Sequence, residues 1–160
     1  DSLILHGSVA SRLLRGAKSG LPVCVTVTLL DGLVLARSVF HHSMNYRSVV
    51  VLGVPEVVDD PAEKRAALDC LTEHLIPGRV TEAREPNDRE LAKTLVLRLS
   101  LEEASAKVRT GPPGDEPEDY RLPVWAGVIP IRTQFGPPEA DPELAEGIPT
   151  APSALAYRRP

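Results

Sequence analysis

The sequence predicts a mainly β protein with a few helices, and three observations support this fold class. Residues 22–30 alternate valine and leucine with cysteine and threonine, and residues 94–101 place leucine at every second position. Such a period of two is typical of β-strands that bury one face. Residues 60–78 instead carry leucines at helical spacing among charged residues, which indicates an amphipathic helix. We therefore expect strands to form the core and helices to cover it.

Length and charge restrict the possible functions. A chain of 160 residues is large enough for one domain with its own hydrophobic core. The formal net charge of -4 disfavours general binding to nucleic acid or to acidic membranes, and no apolar stretch approaches the length of a membrane span. We therefore expect a cytoplasmic protein that binds neither nucleic acid nor membrane.

The N-terminal segment LILHGSVASRLL predicts a strand that ends at His6, followed by a tight turn and a helix start. Gly7 and Ser8 suit the turn, and Ser11 and Arg12 lie in the first helical turn. Unpaired amides at a helix start, together with the helix dipole, attract anions. This segment is a candidate half-site for a phosphate.

Residues 22–40 predict a β-hairpin. The alternating run at 22–30 is followed by Asp31 and Gly32, which suit a two-residue turn, and residues 33–40 would form the return strand. No charged residue occurs in either strand before Arg37. Both strands are therefore expected to be covered, as barrel walls are.

The segment HHSMNYRSVVVLG, residues 41–53, joins a polar cluster to a valine-rich strand at 48–52. A guanidinium at Arg47 beside the hydroxyl of Ser48 suits a phosphate. The alternative is a surface salt bridge at Arg47 and a simple strand-start hydroxyl at Ser48. His41 and His42 are neighbours on an extended chain and would point to opposite faces, so loop histidines are favoured over a metal site.

The second half of the chain contains clear helix signals. Asp60, Pro61 and Glu63 predict the N-cap, first position and capping box of a helix that ends at Gly78. A short helix capped at Asn87 or Asp88 should lead into the half-buried strand at 94–101, which residues 104–109 could extend. Residues 111–119 predict a mobile or site-covering loop.

Three motifs in order, HGSVASRLL, NYRSVVVLG and WAGVIPI, resemble the flavin-nucleotide-binding proteins related to pyridoxamine 5'-phosphate oxidase, including Nim-type nitroimidazole-resistance proteins. The resemblance implies an FMN-binding split β-barrel over residues 1–134, followed by a Pro-rich C-terminal tail at 135–160. Members of this group carry further strands before the LILHG strand. We therefore expect the domain in this chain to be N-terminally incomplete.

The resemblance also implies a site and a partner. It predicts FMN as the cofactor, no metal, and a homodimer with the flavin at the subunit interface, and it gives His6 a catalytic, substrate-facing role. Trp125 could flank the flavin, lie at the dimer interface or anchor the core. The cofactor-binding residues implied by the resemblance are His6, Gly7, Ser11, Arg12, Leu13, Tyr46, Arg47, Ser48, Val49, Lys107 and Trp125.

The implied function is that of a flavin-dependent oxidoreductase of small molecules, either pyridoxamine phosphate oxidase-like or nitroreductase-like. No triad order, Walker loop or GxGxxG motif occurs, and a flavin enzyme needs none of these because the cofactor carries the redox chemistry. Two alternatives remain open. The chain could be a non-catalytic flavin-binding or regulatory domain, or a split barrel that uses F420 or haem.

Overall fold

The computed structural model describes residues 1–158 and confirms a mainly β fold with two sheets and four α-helices among them. The strands are β1 (Ser2–Ser8), β2 (Val23–Leu35), β3 (Ser43–Gly53), β4 (Glu56–Val57), β5 (Thr94–Ser100), β6 (Ala104–Arg109) and β7 (Gly127–Pro130). The helices are α1 (Arg12–Lys18), α2 (Pro61–Leu75), α3 (Asp88–Ala92) and α4 (Pro152–Leu155).

The described chain divides into two compact units, each assembled from separate segments. The first unit contains residues 1–23, 54–100 and 135–158, and its sheet has the order β1-β5-β4. The second unit contains residues 24–53 and 101–134, and its sheet has the order β6-β3-β2-β7.

Strand β5 forms the centre of the first unit and is buried on both faces. Leu97 packs with Leu14 of α1 on one face, and Val96 packs with Ala67 of α2 on the other. Leu95, Val96, Leu97 and Leu99 are each at most 4% exposed. The prediction of a half-buried strand is therefore wrong, because a helix covers each face.

Strand β1 continues through Ser8, so the tight turn predicted at Gly7 and Ser8 is wrong. Gly7 pairs with Leu95 within the ladder. A Cβ atom at Gly7 would lie only 2.7 Å from the Cδ1 atom of Leu14. The glycine therefore makes room for a buried leucine of α1 instead of supplying a turn.

The helices predicted in the second half of the chain are present, with differences in their caps and ends. Asp60 caps α2 by accepting hydrogen bonds from the N–H groups of Ala62 and Glu63. The capping box lies one helix later, where Asn87 and Glu90 cap α3 reciprocally. Helix α2 ends at Leu75, before the predicted end at Gly78, which adopts a left-handed φ of 85° beyond it.

The predicted hairpin at residues 22–40 is wrong. Asp31 and Gly32 lie inside the continuous strand β2, and Gly32 does not have a positive φ. Gly32 instead pairs with Pro130 of β7, so closely that an added Cβ would lie 2.9 Å from Val128 Cγ1 and 3.0 Å from the Ile129 carbonyl oxygen. The glycine therefore serves the close approach of two strands.

Residues 104–109 do not extend β5 as expected. They form β6, which pairs with β3 in the sheet of the second unit. The tail predicted at 135–160 contains helix α4, and the rings of Phe135 and Tyr157 meet edge to face at 4.9 Å. Its last two residues lie outside the described part of the chain. No helix within residues 1–158 is both long enough and apolar enough to cross a membrane.

The contact between Gly32 and β7 generates a prediction about stability. We expect Gly32→Ala to lower the free energy of unfolding by about 1–3 kcal/mol, because a methyl group would press against the backbone of β7. Urea unfolding measures this change. The matched control is Gly114→Ala, where an added Cβ would meet no atom within 4 Å. Equal stability of the two variants would contradict the close packing at Gly32.

Candidate functional site

Four residues form a polar row on one face of the second unit's sheet: Thr28, Tyr46, Ser48 and Lys107. The hydroxyl oxygens of Thr28 and Ser48 lie 2.7 Å apart across β2 and β3. Lys107 of β6 stands directly opposite Ser48, and Tyr46 precedes Ser48 by two residues on β3. Because residues two apart on a strand share a face, hydroxyl groups and an ammonium group lie together here.

Arg47 lies on the opposite face of the same sheet, since adjacent strand residues alternate. Its Nε donates to Asp31 Oδ2 at 3.0 Å and its Nη2 donates to Asp31 Oδ1 at 2.9 Å. These hydrogen bonds hold the pKa of the Asp31 carboxyl below its ordinary value. Arg47 and Ser48 therefore lie on opposite faces of the sheet, and the carboxylate of Asp31 binds the Arg47 guanidinium. Val49 shares the face of Arg47 and is exposed.

The residues predicted near the start of α1 lie in the first unit. Ser11 is the N-cap, and its Oγ accepts a hydrogen bond from the Leu14 N–H at 3.4 Å. Arg12 and Leu13 follow it on the exposed side of α1. His6 is exposed and pairs with Val96. Gly7 faces α1, so alternation places His6 on the other face of β1, away from that helix.

The two neighbouring histidines differ in their surroundings. The Nδ1 atom of His42 accepts a hydrogen bond from the Ala36 N–H at 3.0 Å. The ring of His41 packs edge to face on Phe40 with centroids 5.2 Å apart, and its Nε2 lies 3.9 Å from Glu116 Oε1. Val39 and Phe40 beside it are 84% and 89% exposed. Within residues 1–158 no group of three or more His, Cys, Asp or Glu residues could hold a metal ion.

Asp115 anchors the loop that follows β6. Its buried carboxylate accepts from the N–H groups of Arg37 and Ser38 at 2.8 and 3.3 Å, and from Arg37 Nη1 at 3.0 Å. The Arg37 guanidinium also lies over the Tyr120 ring, 4.8 Å from its centroid. Burial acts to raise the pKa of Asp115, but these hydrogen bonds outweigh it and hold the pKa below its ordinary value. The loop predicted to be mobile or site-covering is therefore held at its middle by hydrogen bonds to residues 37 and 38.

Trp125 does not anchor a core, because it is 68% exposed. Its ring folds over the backbone of Gly127, where an added Cβ would lie 2.9 Å from the Trp125 Cζ2 atom. The core-anchor interpretation is thus wrong, while a role beside a ligand or a second subunit stays a prediction.

Residues 1–108 match the family described as pyridoxamine 5'-phosphate oxidase. The chain belongs to this family. The solved structure of the flavocytochrome Anf3 from Azotobacter vinelandii is 46% identical to the chain, with a TM-score of 0.93 over 99% of this chain and 73% of that one. The FAD and haem binding protein from Mycobacterium smegmatis is 45% identical, with a TM-score of 0.91 over 96% of this chain and 75% of that one.

A protein assigned to 5-nitroimidazole antibiotic resistance in Bacteroides thetaiotaomicron has the same fold. It is 24% identical and has a TM-score of 0.51 over 66% of this chain and 60% of its own. No curated protein sequence matches the chain. The fold is therefore that of the flavin-binding split-barrel proteins, as the three ordered motifs predicted.

Sequence reasoning missed three residues with structural roles near these candidates: Thr28, Asp31 and Asp115. Asp31 occupies the same alternating positions as Leu29 and Leu33, and a charged residue in such an apolar series is a signal that a partner charge lies opposite. The contacts of Thr28 and Asp115 join segments 20 and 78 residues apart. No local pattern marks such pairings.

The Asp115 anchor generates a prediction about the loop at residues 111–119. Asp115→Asn keeps a carbonyl acceptor but removes the negative charge that faces Arg37, so we expect faster backbone hydrogen exchange in this loop. Because the folded pKa of Asp115 lies below 3.8, the wild-type protection should persist above that pH and be lost as the pH falls further. Glu118→Gln, an exposed change in the same loop, is the control and should leave the exchange unchanged.

Proposed function

We propose that this chain is a flavin-binding redox protein. The observation that carries the proposal is its 46% identity to a flavocytochrome over 99% of its length. The second relative, at 45% identity, is named for FAD and haem, and both relatives match nearly the whole of this chain. The cofactor expected from the sequence was FMN. FAD contains the FMN group, and the FAD-binding relative favours FAD here.

The polar row supplies groups that suit the flavin. The hydroxyls of Thr28 and Ser48 can each donate or accept, and Lys107 adds a positive charge beside them. Such groups suit the carbonyl oxygens of an isoalloxazine ring or a ribityl phosphate. Arg47 is a weaker candidate than the sequence indicated, because Asp31 already occupies it.

We propose further that the bound flavin serves in oxidation and reduction of small molecules. A flavin supplies the hydride or electron transfer, and the protein contributes placement and electrostatics. His6 is exposed, so it is accessible to a substrate, and its catalytic role remains a proposal from the resemblance. Reduction of the bound flavin by a nicotinamide cofactor separates this proposal from a non-catalytic flavin carrier.

The direct test is the absorption spectrum of the purified protein after it has been loaded with flavin and washed. Retained cofactor is then released and identified by its mass. Stoichiometric FAD or FMN would support the proposal and decide between the two flavins. A protein that retains F420 alone or no flavin at all would refute it.

A single variant tests the polar row. We expect Ser48→Ala to weaken flavin binding about five- to tenfold, the loss typical of one hydrogen bond between neutral groups. Fluorescence titration with free flavin measures the affinity. The matched control is Thr81→Ala, which removes an exposed hydroxyl that donates to the Gly78 carbonyl of the first unit. Unchanged affinity for Ser48→Ala would remove the polar row from the flavin site.

We propose haem as a second cofactor, because the flavocytochrome and the FAD and haem binding protein both resemble this chain closely. His42 is a poor iron ligand in this arrangement. Its Nδ1 already accepts a hydrogen bond from the Ala36 N–H, so in the neutral ring its Nε2 carries the proton and has no free lone pair for iron. Among residues 1–158 no hydrogen bond occupies Nδ1 of His41, its Nε2 lies 3.9 Å from Glu116 Oε1, and its ring lies beside the exposed apolar side chains of Val39 and Phe40. His41 therefore fits a haem ligand better.

The haem proposal predicts that His41→Ala loses most of the haem absorption of the reconstituted protein while it retains flavin. His74→Ala, which removes an exposed imidazole at the end of α2, should leave both cofactors in place. If the haem content of His41→Ala equals that of His74→Ala, His41 is not the ligand. Failure of both variants and of the wild type to take up haem would reject haem while leaving the flavin proposal intact.

We also propose that the protein forms a homodimer. Exposed apolar side chains on the second unit's sheet support this proposal, because monomeric proteins rarely leave such a patch in water.

A further inference from the structure

His41 lies in a short segment, residues 36–42, that a hydrogen bond closes into a loop. The Nδ1 atom of His42 accepts this bond from the Ala36 N–H at 3.0 Å. His41 itself ends the 3₁₀ helix Val39–His41, directly before the closing residue. The orientation of its imidazole therefore depends on how this segment is held.

The 3₁₀ helix that contains His41 begins at Ser38. Ser38 is the N-cap, and its Oγ accepts a hydrogen bond from the Phe40 N–H at 3.3 Å. Its carbonyl oxygen accepts a second bond from the His41 N–H at 3.1 Å. A residue that binds a helix through both its side chain and its carbonyl determines where that helix starts. The position of the His41 backbone therefore follows from the position of Ser38.

Asp115 holds Ser38 from a segment 77 residues away. Its Oδ1 accepts from the backbone N–H groups of Arg37 and Ser38 at 2.8 and 3.3 Å, and its Oδ2 accepts from Arg37 Nη1 at 3.0 Å. The Asp115 side chain is completely buried, so water does not compete for these bonds. One buried carboxylate is thus connected to the His41 backbone through a single intervening residue.

The loop that carries Asp115 is attached to the rest of the second unit on both sides of it. At its start the Gly111 carbonyl accepts a hydrogen bond from Asn45 Nδ2 at 3.0 Å, and Asn45 is only 8% exposed. After it, the Tyr120 ring lies 4.8 Å from the Arg37 guanidinium. Asp115 therefore lies between two fixed points and can act as a rigid support for the segment that it binds.

We propose that Asp115 is a positioning residue for the haem ligand His41. It acts through Ser38, because it holds the start of the 3₁₀ helix whose last residue is His41. A histidine that binds a metal needs a fixed orientation, and residues outside the ligand set that supply it typically contribute about ten- to hundredfold to metal affinity. The inference rests on the haem proposed above, to which His41 contributes its imidazole.

Alanine at position 115 tests this role, with asparagine as the conservative variant. Asp115→Ala removes every acceptor that faces Arg37 and Ser38, so we expect the reconstituted protein to lose haem about tenfold faster than the wild type. Asp115→Asn keeps one carbonyl acceptor for the backbone N–H groups, and its rate should lie between the other two. Haem transfer to an excess of haem-free globin, followed by absorption, measures the rate.

A spectroscopic measurement separates positioning of the ligand from a general loss of stability. The electron paramagnetic resonance spectrum of the ferric haem should show one histidine-ligated species in the wild type. In Asp115→Ala it should show a mixture of species, because the imidazole of His41 no longer has one orientation. The circular dichroism spectrum and the flavin content of the same samples should equal those of the wild type.

A second variant and a matched control complete the experiment. Ser38→Ala removes the hydroxyl that caps the 3₁₀ helix, so it tests the same connection even if Asp115→Ala does not fold, and it should speed haem loss about threefold or more. Asp31→Ala is the control, because the carboxylate of Asp31 binds Arg47 of β3 instead of residues 36–42. It should release haem at the wild-type rate.

Two results would overturn the positioning role alone. Asp115→Ala and Ser38→Ala could both release haem at the wild-type rate with the wild-type spectrum, or Asp31→Ala could speed the release as much as Asp115→Ala does. A wild type that takes up no haem would instead reject the haem proposal, and the positioning role with it. The flavin proposal would still be judged separately by the flavin retained on the purified protein.

Discussion

The alternation of side chains along β3 is the constraint on which the interpretation of the second unit depends. This strand is hydrogen-bonded on both sides, to β2 and to β6, so it cannot rotate without breaking two ladders. Its pleat sends Tyr46 and Ser48 to one face and Arg47 and Val49 to the other. The hydroxyl groups of Tyr46 and Ser48 therefore lie on one face of the sheet, and the ion-paired Arg47 lies on the other.

Glycine and carboxylate positions show how this scaffold is held in place. Gly7 and Gly32 both lie in strands and permit close packing, one against a leucine of α1 and one against the backbone of β7. Asp31 and Asp115 each neutralise an arginine of the second unit. The buried Asp115 fixes a loop, whereas the more exposed Asp31 holds Arg47 at the surface of the sheet. The structural effect of an aspartate–arginine pair therefore depends on how deeply the pair is buried.

The similar solved structures affect the expected cofactors more than the expected family. The three motifs led to the correct family and to the expectation of a flavin. From the sequence, haem was expected only as an alternative to the flavin. A relative of this chain at 45% identity, however, is named for both cofactors. The sequence contains no signal for a second cofactor beyond the adjacent histidines, and a histidine pair on an extended chain is ambiguous by itself. The hydrogen bond from Ala36 to His42 now distinguishes the two imidazoles.

The sequence by itself determined the mainly β class, the N-cap at Asp60, a short helix capped at Asn87 or Asp88, and the family, because caps and alternation are local properties of the chain. Tertiary structure decided what local patterns could not. It turned the predicted hairpin into one long strand because β7 pairs with β2 from Gly32 to Leu35, and it buried both faces of β5 because a helix lies on each. It also gave Arg47 an aspartate partner 16 residues away. In each case the deciding contact came from a segment distant in sequence, and only the folded chain brings such segments together.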